Sequence, residues 1–165
     1  MNHQSSRVSG LEAEQANLGR FLQAYEKKFH YCPRNPVHRD RPDFELTDPC
    51  NNLPFGLELT SAYQDEIEVK INYSLEGEEN YVEGNLEGLL QNLQTRISEK
   101  AVKSFSYEYP NPFHLAIWLG SFTYSEMQDV DVFSSTLLIP SNRFTHIWLI
   151  AQDDEDYSPV LYQLQ

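Results

Sequence analysis

The hydrophobic positions of the chain form two stripes with a helical period. From about Ser9 to Phe29, apolar residues recur every three or four positions and fit one helix face about 100° wide. A second stripe runs from about Leu86 to Phe105. Ser9 and Glu12 match a capping box at the first helix start. The two predicted stripes consist of Leu11, Leu18, Phe21, Leu22, Tyr25 and Phe29, then Leu86, Leu89, Leu90, Leu93 and Ile97.

Other segments have the patterns of β-strands. The runs from Asp43 to Thr47 and from Phe55 to Thr60 alternate, and turn-forming residues join them, which predicts an antiparallel hairpin. Ile67 to Tyr73 alternates with charged residues and predicts a strand with one solvated face. The apolar runs Phe113–Leu119 and Phe144–Ile150 are typical of strands buried on both faces.

The remaining segments complete the prediction. Val160–Leu164 is expected to form a final edge strand, whereas Asp129–Ile139 has no clear pattern. The prolines between the first helix and the hairpin indicate a loop. We therefore predict an α/β fold in which residues 1–165 form a single domain with a mixed central β-sheet flanked by helices.

Composition narrows the class of protein. The hydrophobic fraction of 40% and aromatic fraction of 13% exclude a disordered chain. No apolar run approaches the roughly 20 residues that span a bilayer. The first residues lack the apolar stretch of a secretory signal, and the chain has two cysteines. We expect a folded cytoplasmic protein with no membrane association.

The distribution of charge along the chain indicates which kinds of partner to expect. The net charge of −13 disfavours nucleic acid, but residues 1–60 are nearly balanced, with seven basic and eight acidic side chains. One locally basic segment adjoins Asp43, which predicts either a nucleic-acid contact or a solvated loop. The strongly acidic remainder instead favours docking on a basic protein. The basic segment contains Lys27, Lys28, Arg34, Arg39 and Arg41.

Four charged residues stand out from these patterns. Asp43 and Glu58 project from the same side of the predicted hairpin. Glu14 falls inside the apolar face of the first helix, and Lys100 continues the stripe of the second. Each also has a structural interpretation. Glu14 would be a helix acid paired with a base, and Asp43 would simply begin a strand. Glu58 would be a charge that protects a sheet edge, and Lys100 a snorkelling lysine.

In order and spacing, these residues resemble the PD-(D/E)xK nuclease superfamily, whose fold is restriction-endonuclease-like. Members have an acid on the first helix, an aspartate after proline at one strand start, and an acid with lysine two places later on the next strand. Glu14, Asp43 of Pro42-Asp43-Phe44, and Glu58 match these positions over residues 11–105, but Thr60 replaces the lysine. Some members carry that lysine on the following helix, which points to Lys100.

The resemblance implies a metal-dependent nuclease that hydrolyses phosphodiester bonds of DNA or RNA. Asp43 and Glu58 would hold Mg²⁺ or Mn²⁺, and Lys100 and Glu14 would complete the catalytic set. The alternative is an inactive nuclease-like binding module, such as an acidic immunity or inhibitor protein that docks on a basic partner. Thr60 favours this alternative.

The sequence contains two other combinations of residues that could form a site. Glu68-Val69-Lys70 spells the acid-x-lysine motif, but both charges fit the solvated face of a strand. A zinc site would need four residues whose spacing matches no compact finger: His30, Cys32, His38 and Cys50.

Overall fold

The computed structural model describes residues 10–63, 84–121 and 123–165. They form a single-domain α/β fold with a six-stranded mixed sheet. Its elements, in chain order, are α1 Gly10–Phe29, β1 Arg34–His38, β2 Phe44–Thr47, β3 Pro54–Ala62, α2 Leu86–Ser104, β4 Phe113–Leu119, α3 Met127–Phe133, a 3₁₀ turn Ser134–Thr136, β5 Ile147–Gln152 and β6 Pro159–Gln163.

The strands lie in the sheet in the order in which they occur in the chain. β1, β2 and β3 form an antiparallel meander, β3, β4 and β5 are parallel, and β6 returns antiparallel to β5. Because parallel neighbours need a crossover, helices lie in the β3–β4 and β4–β5 connections. The mixed sheet predicted from the sequence is therefore confirmed.

The helices cover both faces of the sheet. Leu18 and Phe21 of α1 pack with Leu57 and Trp148 on one face. On the other face, α2 and α3 pack with the opposite side chains of β3, β4 and β5, which include Leu115, Ile117 and Leu149. Burying a large aliphatic side chain contributes about 1.5–3 kcal/mol, so these two cores fix the strand order and register. We call the two sides the α1 face and the α2 face.

Local sequence explains where α2 begins. The side chain of Asn85 accepts a hydrogen bond from the Gly88 amide at 2.9 Å and so caps the first turn. The buried positions Leu89, Leu93 and Ile97 confirm most of the predicted stripe. In α1, Leu18, Phe21 and Tyr25 are buried as predicted, but Leu11 is 45% exposed because it lies at the helix start, beyond the sheet.

The hairpin and the strand from Phe113 to Leu119 are also confirmed. The structure differs from prediction at three elements. β1 occupies the segment that its prolines had indicated as a loop, and it is an exposed edge strand. Residues 127–133 form α3, whose last five residues belong to the segment Asp129–Ile139 that gave no clear pattern. β5 begins at Ile147 rather than Phe144, although Phe144 is buried.

Two predictions lie outside the described residues: the strand from Ile67 to Tyr73, together with the motif Glu68-Val69-Lys70, and the capping residue Ser9. In the described part of the chain, no helix combines the length and apolarity that crossing a membrane requires.

Candidate functional site

The hairpin brings Asp43 and Glu58 together on the α2 face. Phe44 pairs with Leu57, so extending this register by one residue sets Asp43 beside Glu58. The amide of Leu59 donates a hydrogen bond to Asp43 Oδ2 at 2.7 Å. Glu58 is only 4% exposed, in the middle of a strand whose other side chains are mostly apolar. Two carboxylates therefore lie side by side at a poorly solvated position.

Lys100 reaches the same place from α2. Its Nζ donates a hydrogen bond to Glu58 Oε1, and the Lys100 side chain is 19% exposed. The second oxygen, Glu58 Oε2, is buried and accepts no hydrogen bond from any described residue. An unpaired buried carboxylate oxygen costs free energy unless something else binds it. Lys100 thus anchors one oxygen of Glu58, and the other lacks a partner.

The carboxylates strongly affect each other. Burial first, and the Glu58 charge second, raise the pKa of Asp43 from 3.8 to about 7, while the Leu59 amide and Lys100 act in the opposite direction. Glu14 adds the smallest of the five contributions and also raises this pKa. Burial is the larger cause of this raised pKa, but a neighbouring like charge also contributes, and a cation placed between the two carboxylates would relieve that repulsion.

Tyr107 lies beside the same pair. Burial and then the Glu58 carboxylate raise the pKa of Tyr107 well above its ordinary value of 10.0, and Asp43 also contributes. The tyrosine is 5% exposed, and its ring packs against Phe113 at a centroid distance of 5.6 Å. The Tyr107 phenol also interacts with the Glu58 carboxylate as a hydrogen-bonding side chain, although Glu58 Oε2 itself forms no hydrogen bond of regular geometry.

Glu14 is close enough to act on Asp43 but is held elsewhere. Its Oε2 lies 3.0 Å from His38 Nε2, which joins α1 to the edge strand β1. The helix that carries Glu14 covers the α1 face, whereas Glu58 projects to the α2 face. The structure therefore brings Asp43, Glu58 and Lys100 together and places Glu14 at the border of this group.

The floor of the site is tightly packed around Gly56. A Cβ atom at this glycine would lie 2.5 Å from Pro42 Cγ and 2.9 Å from both Phe113 Cβ and Tyr109 Cε1. Only a residue without a side chain fits there. Gly56 thereby allows Pro42, and with it Asp43, to lie directly against β3.

A small cavity opens beside Glu58, between α2 and the segment before β2. Its volume is about 210 Å³. Within the described residues, Arg41 and Lys103 take part in no ion pair, so their charges are available in this cavity. The residues that line it are Asp40, Arg41, Glu58, Lys100, Lys103, Ser106 and Tyr107.

The structure separates the basic residues that the sequence grouped together. Lys27 lies 2.9 Å from Asp153 near the β5–β6 turn, and Lys28 stacks near the rings of Phe29 and Trp148. Arg39 pairs with Glu45 at 3.5 Å, and Arg34 begins β1. Of the five, Arg41 is the one that lines the cavity.

Sequence reasoning missed two members of the site. Lys103 and Tyr107 were not among the residues that stood out from the sequence patterns. Spacing contained a usable signal for Lys103, because a residue three positions beyond Lys100 lies on the same helical face. Tyr107 follows the end of α2 by three residues and still faces Glu58.

A divalent ion fits the carboxylate pair. Mg²⁺ is commonly held by one or two carboxylates together with waters and substrate phosphates, and Glu58 Oε2 is a buried oxygen that lacks a partner. Among the described residues, no group of three or more His, Cys, Asp and Glu side chains is arranged to hold a metal ion. Asp43 and Glu58 would thus hold such an ion as a pair, with waters completing its coordination.

Comparisons with protein-family models, with curated proteins and with solved structures found no match to this chain.

Proposed function

We propose that this protein is a metal-dependent nuclease that hydrolyses phosphodiester bonds of DNA or RNA at Asp43 and Glu58. The observation that carries the proposal is the pair itself: two adjacent, poorly solvated carboxylates, one with a pKa raised to about 7 and one with a buried oxygen that lacks a partner. A fold tolerates such a pair when a ligand stabilises it. The resemblance to the PD-(D/E)xK superfamily supports the same proposal.

Each carboxylate uses one oxygen within the protein and offers the other. Asp43 Oδ2 is fixed by the Leu59 amide, and Glu58 Oε1 by Lys100. Oδ1 and Oε2 would therefore hold the ion, with Mg²⁺ or Mn²⁺ as the natural choice for oxygen ligands. When bound, the metal would polarise the phosphodiester and lower the pKa of a bound water.

Lys100 supplies the ammonium that Thr60 does not. Thr60 is two residues beyond Glu58 in β3 and is partly buried, whereas Lys100 reaches Glu58 from α2. Held beside the carboxylates, the Lys100 ammonium orients Glu58 and offsets negative charge that develops on a phosphate. Glu14 acts as a positioning residue, since its carboxylate bonds to His38 rather than to the pair.

A second candidate function is an inactive nuclease-like module that docks on a basic protein. The acidic balance of −13 favours it, as does Lys100, which neutralises one of the two carboxylates. In that case the pair would have no role in catalysis, and the acidic surface would provide the binding energy.

Two measurements on the same variants test these functions. Cleavage of labelled DNA and RNA is measured with Mg²⁺ or Mn²⁺, and metal affinity is measured by isothermal titration. Asp43→Asn and Glu58→Gln should each lower cleavage by about 100-fold or more and weaken metal binding, because each removes one ligand charge.

The matched control is Asp131→Asn, which removes an exposed carboxylate from α3, outside the site. This variant should keep wild-type cleavage and metal affinity. Cleavage that persists in Asp43→Asn would remove the site assignment. A wild-type protein that neither binds metal nor cleaves, but forms a complex with a basic protein, would establish the second function instead.

A further inference from the structure

Beside the carboxylate pair, the cavity between Arg41 and Lys103 has the features of an anion site. Both residues are exposed at its rim, one from the segment before β2 and the other from the last turn of α2. Neither has an ion-pair partner in the described residues. Two cations from separate elements that converge without a carboxylate partner leave positive charge for a ligand.

The charge balance of the lining supports this interpretation. Lys100 neutralises Glu58, which leaves Arg41 and Lys103 against the single acid Asp40. The cavity is thus net positive in a protein whose net charge is −13. The charge of Arg41 acts to lower the pKa of Tyr107, which lines the same cavity.

A second and independent observation is the buried oxygen of Glu58. This residue is 4% exposed and lines the same cavity, and its Oε2 is buried without a hydrogen bond of regular geometry. The cavity therefore joins an oxygen suited to a cation with two side chains suited to an anion. A metal-bound phosphodiester carries both kinds of charge.

We infer that Arg41 and Lys103 bind a backbone phosphate of the nucleic-acid substrate, next to the phosphodiester held at Asp43 and Glu58. This inference rests on the proposed function for the identity of the ligand. The volume of about 210 Å³ is sufficient for a phosphate group. The contact is to the backbone, so it adds affinity without sequence preference.

The test measures binding separately from cleavage. Affinity for a short labelled DNA duplex and a short labelled RNA is measured over a salt series, in chelator and again with Mg²⁺. Arg41→Gln and Lys103→Gln should each weaken binding about 5- to 10-fold at low salt. Each should also lower the slope of log affinity against log salt by about 0.7–0.9, since one phosphate contact is lost.

Two matched variants sharpen the test. Lys28→Gln removes one exposed cation that lies near aromatic rings on the α1 face, and it should leave the slope unchanged. Asp40→Asn removes the acid of the cavity and should tighten binding about 2-fold, a change opposite in sign. Circular dichroism checks that all four variants fold.

The outcomes separate this inference from the proposed function. Binding that depends on Arg41 and Lys103 in a protein that cleaves nothing would support the subsite and overturn the nuclease. Cleavage and binding that are equally insensitive to Arg41, Lys103 and Lys28 would overturn the subsite and retain the nuclease. Absence of binding to both nucleic acids, in chelator and with Mg²⁺, would overturn the subsite.

Discussion

Two buried polar clusters lie on opposite faces of the sheet and differ in whether the chain satisfies them. On the α1 face, Trp148 Nε1 donates a hydrogen bond to His114 Nδ1 at 3.2 Å. Burial, aided by the nearby His146, lowers the pKa of His114 to about 3, so this ring is neutral at pH 7. Its polar nitrogen has a partner, and it carries no charge that would need a counterion.

On the α2 face, hydrogen bonds within the chain satisfy the two carboxylates only in part. Glu58 shares one oxygen with Lys100, its other oxygen has no partner in the described chain, and Asp43 has a raised pKa. The fold therefore completes the polar contact at His114 by itself and leaves the contact at Glu58 incomplete. An incomplete buried polar group is where a ligand contributes most. This contrast, rather than any one residue, is our reason for proposing a site on the α2 face.

The largest expected effect comes from Lys100→Met, which keeps the length of the side chain and removes its charge. If Lys100 offsets charge on a phosphate, kcat should fall about 100- to 1000-fold. Steady-state cleavage is the measurement, made below the melting temperature of every variant, because Glu58 would also lose its cation.

The control for this change is Lys27→Met, which breaks an exposed ion pair with Asp153 far from the site. An exposed pair contributes little to stability, and cleavage should stay at the wild-type rate. Equal rates in the two variants would mean that Lys100 serves only to neutralise Glu58 and takes no part in cleavage.

The second prediction concerns the packing beneath the carboxylates. Gly56→Ala should lower the free energy of unfolding by about 3 kcal/mol, since its Cβ would overlap Pro42, Phe113 and Tyr109. Gly19→Ala on α1 is the matched control. It has no atom within 4 Å of the added methyl group, and it should raise stability by about 0.5–1 kcal/mol. Denaturant unfolding of both variants measures the difference.

Sequence patterns predicted the elements whose burial is regular. The run Phe113–Leu119 is buried on both faces, and α2 buries one stripe, so period and apolarity were sufficient there. β1 escaped prediction because every residue of it is exposed and Pro36 lies within it. An edge strand has no apolar face to leave a pattern, and proline is tolerated at such an edge.

The site was predictable as far as it depends on register. Once the hairpin pairs Phe44 with Leu57, Asp43 and Glu58 must share a face, and this followed from alternation alone. The meeting of Lys100 with Glu58 depends on how α2 crosses the sheet. The hydrogen bond of Glu14 with His38 depends on β1, which the sequence did not reveal. Long-range packing decides such contacts, and local patterns do not record it.

The third prediction concerns His114, whose hydrogen bond with Trp148 lies on the α1 face, and the pH dependence of stability that this histidine causes. Since folding lowers the pKa of His114 from 6.5 to about 3, the unfolded state binds a proton that the folded state excludes. Stability is therefore complete above pH 6.5 and falls as the pH drops toward 3, by about 2–3 kcal/mol between pH 7.5 and pH 4.5. In His114→Phe this part of the pH dependence should vanish, although the variant is less stable at pH 7.5 because Trp148 loses its acceptor. Urea unfolding at several pH values measures both profiles, and parallel profiles would contradict the prediction.

The smallest expected effect concerns Asp43, whose contribution to stability changes with pH in the opposite direction to that of His114. Folding raises the pKa of Asp43 from 3.8 to about 7, so its contribution to stability is complete below pH 3.8 and is lost as the pH rises through 7. Asp43→Asn removes the charge and can still accept the Leu59 amide. In metal-free buffer it should raise the free energy of unfolding by about 1 kcal/mol at pH 8 and by almost nothing at pH 4, after allowance for solvent screening.

Addition of Mg²⁺ turns this prediction into a test of the contrast between the faces. A ligand that binds only the folded state stabilises it, so Mg²⁺ should raise the Tm of the wild-type protein at pH 8. Asp43→Asn should respond much less, because half of the carboxylate pair is gone. His114→Phe should respond as the wild type does, since its cluster lies on the α1 face and offers the ion nothing. If the Tm of Asp43→Asn rises with Mg²⁺ as much as that of the wild type, the two faces do not differ in their need for a ligand, and the carboxylate pair is simply a strained part of the fold.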